Sequence, residues 1–378
     1  MTGAREMDPT GEVYLDWNAT TPPLPEVLDA MREVAREAWG NPSSVHAAGR
    51  RARVYVEEAR EELGAALGRS PRDVWFTSGG TEANNLALSG ARALITSRIE
   101  HPSVVRVAEA LEARGVPVSW LPVPPSGAID ADSVRAELAE APAGAVVAVM
   151  AANHETGVLQ PIPSIAEVCQ KHGAHLHVDA VQAFGKVDAE WWRGADSVSI
   201  AAHKIRGPKG VGALVGRPGW VPEPVLRGGA QERGLRPGTL DASAIAGFRV
   251  AVRHARSGAQ RYADLSVLRD RFESALAEVT QINGAGAPRL SHVSNLSVAG
   301  FRGDELVAAL DLQGVRISSG SACSAGTSEP SPVIAAMLGR ERAVSAIRVS
   351  LGDETRAEDT AHALLALRRV LGLQSSRS

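Results

Sequence analysis

Residues 197–215 read SVSIAAHKIRGPKGVGALV, and the rest of the chain is arranged about this stretch. Val198, Ser199 and Ile200 form a short β-branched run of the kind found in a buried strand. Two alanines, His203, Lys204 and a Gly-Pro-Lys-Gly turn follow. A lysine just past a strand end, among small residues, can be partly desolvated. Its amine then loses its proton and forms a Schiff base with a carbonyl. A lone lysine on a loop is more often a solvated charge, so this reading needs a partner.

The partner stands upstream, in HLHVDAVQ at 175–182. A strand-like segment ends there in Asp179, with Gln182 one turn further on. A carboxylate at one strand end and a lysine at another suit a pyridoxal phosphate site. The carboxylate keeps the pyridine nitrogen protonated, so the ring acts as an electron sink, and the lysine carries the cofactor covalently. TSGGTEANN, at 77–85, strengthens the case. It reads as a strand, a Gly-Gly turn and a helix start, which offer backbone amides and a hydroxyl to a phosphate.

The segments YLDWNATTP, FTSGGTEANNLA, EHPSV, NHETGVLQPI, HVDAVQAFGK, AHKIRGPKGVG, GGAQERGLRPGT and IRVSLG occur in this order. With the Cys-bearing SSGSACSAG, they make the chain resemble the cysteine desulfurases of the NifS/IscS branch of the class V aminotransferases. The resemblance runs from about Tyr14 to the C-terminus. It implies the type I fold of pyridoxal-phosphate-dependent transferases.

The resemblance also implies roles for individual residues. Lys204 would bind pyridoxal 5'-phosphate as a Schiff base, and Asp179 would be the pyridinium partner. His101 would stack on the ring and move protons. Asn153 and Gln182 would sit near the ring hydroxyl, and Gly80, Thr81 and His203 would contact the phosphate or ring. Thr239 would reach the phosphate of a neighbouring subunit, which implies a homodimer. Arg348 would fix the substrate carboxylate, with Asn153 beside it; a guanidinium fork suits that task. Cys323 would be the nucleophile that takes sulfur from L-cysteine and passes it, as a persulfide, to a protein acceptor. That acceptor would be an iron–sulfur scaffold or another sulfur carrier. Cys169, inside an amphipathic helical pattern, reads instead as a buried small residue.

Two positions depart from the family. Ala201 stands where a phosphate-binding Ser or Thr is usual. Arg206 replaces an aromatic residue or His; it reads as facing outward, with substitution for the missing hydroxyl as the alternative.

Composition agrees with this reading and excludes others. The chain has 378 residues, 44% hydrophobic and 22% charged, with a formal net charge of −3. That balance gives no electrostatic case for nucleic acid or an anionic membrane. No apolar run is long enough to span a bilayer. Two distant cysteines and no secretion signal point to a reducing cytoplasm and no disulfide. No metal site is expected.

Strand and helix patterns alternate from residue 74 to 200, as in an α/β fold with a mostly parallel sheet. Residues 1–12 read as a loose polar leader and 13–245 as the large cofactor-binding domain. Residues 246–378 read as a smaller α+β domain carrying the cysteine loop, with the first residues of the large domain available to pack on it. One helix is expected over 262–279. The rival readings are a selenocysteine lyase or other β-lyase on the same fold, and an inactive cofactor-binding sulfur-relay scaffold.

Overall fold

Aliphatic strands without polar alternation need cover on both faces, and the computed structural model, which describes residues 12–319 and 329–373, supplies it. After β1 (Val13–Tyr14), the chain builds a seven-stranded sheet. Its strands are β2 (Val74–Thr77), β3 (Leu94–Ser97), β4 (Val118–Leu121), β5 (Val146–Met150), β6 (His175–Asp179), β7 (Ser197–Ala201) and β8 (Gly212–Gly216). Their spatial order is β2-β8-β7-β6-β5-β3-β4. The β4-β3-β5-β6-β7 run is parallel, and β8 is antiparallel to both its neighbours.

Successive residues serve opposite faces. On β5, Val147 and Val149 join a core with Leu176 and Val178, while Val146 and Ala148 join a second core with Leu94 and Leu214. Helices Pro25–Glu37 and Ala47–Leu67 both pack on helix Ala242–Ala255 on the first side. Helices Gly80–Leu88 and Pro102–Ala113 cover the second.

The sequence reading did not foresee β8, since glycine is depleted in strands and two of its five residues are glycine. They are there for space. A Cβ on Gly212 would lie 2.7 Å from Gly79 Cα and from Ile200 O, so only glycine lets β8 pass the turn that opens helix Gly80–Leu88.

The C-terminal part adds β9 (Thr280–Ile282), β10 (Val293–Val298), β11 (Val315–Arg316) and β12 (Ala346–Ser350). An antiparallel sheet runs β12-β10-β9, and β11 pairs in parallel with β1. Val13 and Leu15 share a core with Tyr262, Phe272, Leu296, Leu310, Val349 and Leu367. The helix expected over 262–279 is two, Gly258–Ala263 and Ser266–Ser274. The division expected at 245/246 falls inside the continuous helix Ala242–Ala255, whose buried side belongs to the core of the large sheet. Residues 1–11 of the expected leader lie outside the described residues.

Candidate active site

In an open α/β sheet the ligand cleft forms beyond the C-terminal ends of parallel strands. Here β5, β6 and β7 end at Met150, Asp179 and Ala201, and all three residues wall one cavity of about 320 Å³. Gly80, Thr81, His101, Gln182, His203, Lys204 and Arg348 line it as well. The fold therefore brings eight sequence-assigned residues, Asp179 included, to one place from 268 positions of chain. A wider groove of about 800 Å³, beside His175 and Trp220, is bordered by none of them.

Lys204 follows β7 in a single 3₁₀ turn, Ala202–Lys204. Its Nζ donates to the carbonyls of Asn18 and, at 2.9 Å, Ala19. Those carbonyls belong to the N-terminal loop, which Asn18 fixes in place: its amide donates to Ser350 Oγ at 3.0 Å, and its Oδ1 meets His292 Nε2 at 3.0 Å. Gln182 Nε2 donates to the same Asn18 carbonyl at 2.9 Å, and Gln182 Oε1 accepts from Lys186 Nζ at 3.1 Å. Lys186 is wholly buried. Burial first, then the charges of Lys204 and Arg348, bring its amine down to about 7.

Asp179 closes β6 with both oxygens engaged. Oδ1 accepts from Val181 N at 2.9 Å, and Oδ2 from Asn84 Nδ2 at 2.7 Å. His101 is the N-cap of helix Pro102–Ala113, with proline at the first helical position where its missing N–H costs nothing. His101 Nδ1 accepts from Ser103 N at 3.1 Å and meets Ser103 Oγ at 2.8 Å. Burial lowers its pKa and Lys204 adds to the shift, while Asp179 opposes it.

The Gly80–Leu88 helix begins at the cavity, so its first amides have no intrahelical acceptor. A Cβ on Gly80 would sit 2.7 Å from Val181 Cγ2, so glycine is needed for the close approach of these two turns. His203, whose Nδ1 meets Thr20 Oγ1 at 3.1 Å, is pushed down to about 3 by burial and by nearby lysines, Lys204 foremost.

Arg348 lies on β12 and is 3% exposed. It donates to Asp16 Oδ1 at 2.6 Å and to His154 O at 3.0 Å, but its Nε finds no partner among the described residues. His154 Nδ1 is likewise buried and unpaired. Two orphaned nitrogens in the residues that wall the cavity, beside a lysine, a carboxylate and a helix start, fit a small anionic substrate and a phosphorylated cofactor.

Several sequence assignments need correction. Asn153 does not line the cavity. Its Nδ2 donates to Ile99 O at 2.9 Å, and its Oδ1 accepts from the backbone of Glu155 and Thr156 at 2.9 Å each, so its amide is spent closing the 153–157 turn. The next residue, His154, takes the place at the wall, its ring edge-on to His101 at 5.4 Å and 72°. Burial holds its pKa well below the ordinary value. Arg206 neither faces outward nor reaches the cavity. It is 5% exposed, has a φ of 67°, and pairs with Glu354 at 2.7 Å and Asp353 at 3.4 Å.

Thr239 is exposed and away from the cavity. Cys323 lies outside the described residues. Cys169 is buried in helix Ile162–His172, and burial pushes its thiol up to about 12, so it is inert as a nucleophile. The sequence reading passed over Asn84, Ser103, His154 and Lys186. Each stands inside a quoted motif, but their use depends on long-range contacts that no spacing displays.

Residues 13–362 match the family model described as Aminotransferase class-V, and the chain belongs to that family. Within it, the chain falls among the cysteine desulfurases. It is 38% identical over 375 residues to cysteine desulfurase IscS of Dictyoglomus turgidum, covering 95% of this chain and 94% of that protein. It is 39% identical to the IscS-like cysteine desulfurase of Mycobacterium tuberculosis, over 94% of this chain and 95% of that one. Among solved structures, a NifS-like protein superposes with a TM-score of 0.86 at 32% identity, covering 96% of this chain and 99% of the other. SspA in complex with cysteine superposes with a TM-score of 0.77 at 33% identity, over 90% of this chain and 98% of the other. Membership implies pyridoxal phosphate as cofactor and cysteine desulfuration as activity. No helix among the described residues is long and apolar enough to cross a membrane.

Proposed function

We propose that this enzyme removes sulfur from L-cysteine through Lys204, Asp179, His101, Arg348 and Cys323, leaving L-alanine and a persulfide on Cys323. The observation that carries the reading is the cavity itself. It sets an amine, a doubly hydrogen-bonded carboxylate and a buried arginine whose Nε has no partner among the described residues around a space of about 320 Å³.

Lys204 would hold pyridoxal 5'-phosphate through its amine, Asp179 would keep the ring nitrogen protonated, and Gln182 would serve the ring hydroxyl. Gly80 and Thr81, with His203, would take the phosphate, joined by Thr239 of the second copy in a homodimer. Bound there, the cofactor supplies an electron sink for the pair left on the substrate carbons. Arg348 orients the substrate carboxylate. The Cys323 thiolate attacks that sulfur. An S–S bond forms as the substrate Cβ–S bond breaks, and a proton delivered from His101 or Lys204 completes alanine. The balance is L-cysteine plus the Cys323 thiol giving L-alanine plus the Cys323 persulfide, which a protein acceptor then takes. An iron–sulfur scaffold or another sulfur carrier has the required chemistry. The same reading divides the chain into a large cofactor domain and a smaller domain that carries the Cys323 loop, in a reducing cytoplasm.

The test is direct. Purified enzyme loaded with pyridoxal phosphate is given L-cysteine and dithiothreitol, and alanine and sulfide are counted. Equal amounts of both are expected. Turnover of selenocysteine with none of cysteine would move the assignment to the lyase alternative.

A further inference from the structure

A chain of hydrogen bonds joins Asp179 to His101 through Asn84 and Ser103. An ionised carboxylate only accepts, so the side chain 2.7 Å from Asp179 Oδ2 must be the Asn84 amide nitrogen. That fixes the flip of Asn84. Its oxygen then faces His177 Nε2 at 3.0 Å, which must carry a proton. Burial drives His177 down to about 3, so it stays neutral, with Nδ1 accepting from Ser197 Oγ at 2.9 Å.

The second hydrogen of the Asn84 amide goes to Ser103 Oγ at 2.8 Å. Ser103 N–H donates to His101 Nδ1 at 3.1 Å and makes that nitrogen an acceptor, so the Ser103 hydroxyl 2.8 Å from it must be the donor in their contact. His101 Nδ1 therefore receives two donors and cannot hold a proton. Asn84, Ser103 and His177 are all buried, at 1%, 6% and 0% exposure, and they meet one another directly.

We propose that Asn84, acting through Ser103, is a positioning residue that fixes His101 as the neutral tautomer with its proton on Nε2. This rests on the reading of Asp179 and His101 as site residues, and it deepens that reading. The carboxylate that serves the cofactor also determines, two residues away, where the site histidine keeps its proton. For His101 to become charged, Nδ1 must take a proton, so the Ser103 hydroxyl must turn its own hydrogen away and the Ser103 N–H must lose its acceptor. Among the groups that face His101, Lys204 opposes its charge, Asp179 favours it, and the neutral ring of His154 lies edge-on to it.

The experiment uses the full-length chain labelled with ¹⁵N-histidine, before and after adding pyridoxal phosphate. His101 is assigned by loss of its signals in His101→Gln. In the wild type, its nitrogen shifts are expected to report Nε2–H with an unprotonated, hydrogen-bonded Nδ1 across pH 6–8. A protonated Nδ1 would overturn the proposal without any further variant. Ser103→Ala and Asn84→Ala should each raise the His101 midpoint by about half to one pH unit, the worth of one hydrogen bond. The double variant should show no more than the Ser103→Ala shift, because Asn84 acts through that hydroxyl. Midpoints unchanged in both single variants, or fully additive, would overturn it. The signals are read without turnover, so their failure is distinct from failure of the enzyme to make alanine.

Discussion

Asp16 Oδ1 lies 2.6 Å from a terminal nitrogen of Arg348, joining the N-terminal loop to strand β12, whose arginine lines the cavity. The pair holds the guanidinium plane while its Nε stays unpaired among the described residues. A lysine at this position keeps the charge but not the planar fork. Arg348→Lys should therefore raise KM for cysteine more than it lowers kcat. One charged hydrogen bond is worth about 1.5–3 kcal/mol, which is roughly tenfold to a hundredfold. Steady-state alanine release over a range of cysteine concentrations measures it. An unchanged KM would remove Arg348 from the substrate site.

Lys204→Ala should abolish the covalent link that borohydride fixes between protein and cofactor. Mass spectrometry after reduction reads it. A cofactor still fixed to the variant would show that another amine, with buried Lys186 the first suspect, holds it.

Only one of the two thiols is expected to carry sulfur. Cys323→Ser should keep the cofactor and lose nearly all alanine release. Cys169→Ser should retain activity, since burial pushes that thiol up to about 12 and leaves it unreactive near neutral pH. Persulfide found on Cys169 in the Cys323→Ser protein would reverse the assignment.

The large sheet was legible in the sequence because its strands are short, apolar and regularly spaced, and because Asp179 and Lys204 sit at strand ends. The sequence did not show β8, whose Gly212 answers to crowding by Gly79 and Ile200 O, and whose Gly216 answers to the rings of Trp220 and Trp75. Nor did it separate Asn153 from His154. Adjacent residues in a turn point in different directions, and the backbone amides of Glu155 and Thr156 claim the asparagine. Arg206 was misjudged for a related reason. Its partners Asp353 and Glu354 lie some 150 residues away, so its burial is a tertiary fact.

That burial changes what to expect of the departures from the family. Arg206 cannot replace the hydroxyl missing at Ala201, because its guanidinium is committed to Asp353, Glu354 and Pro22 O. Arg206→Ala should cost about 3–5 kcal/mol of stability by stranding buried charge, with little change in cofactor affinity per folded molecule. Ala201→Ser should tighten cofactor binding roughly tenfold to a hundredfold if the new hydroxyl reaches the phosphate. Dissociation constants for the three proteins, with urea midpoints alongside, check both. Weaker cofactor binding by folded Arg206→Ala would contradict the geometry.

Glu155 is buried beside Ser331, whose hydroxyl donates to its carboxylate and which caps helix Pro332–Leu338 just after the Cys323 segment. Burial raises its pKa from 4.5 to about 7, against smaller opposing effects of Ser331 and Arg348. An acid whose pKa rises on folding binds, between those two values, a proton that the unfolded chain has released. Stability must therefore fall as pH rises from 4.5 to 7, and the whole penalty is present above 7. A shift of this size corresponds to about 3 kcal/mol. Glu155→Gln keeps an acceptor for the Ser331 hydroxyl and removes the titration. The variant should match the wild type near pH 4.5 and exceed it at pH 8 by up to about 3 kcal/mol. Urea unfolding at the two pH values measures the difference. A Gln variant less stable than the wild type at pH 8 would mean that the carboxylate is ionised and paired in the fold, and that Arg348 reaches it after all.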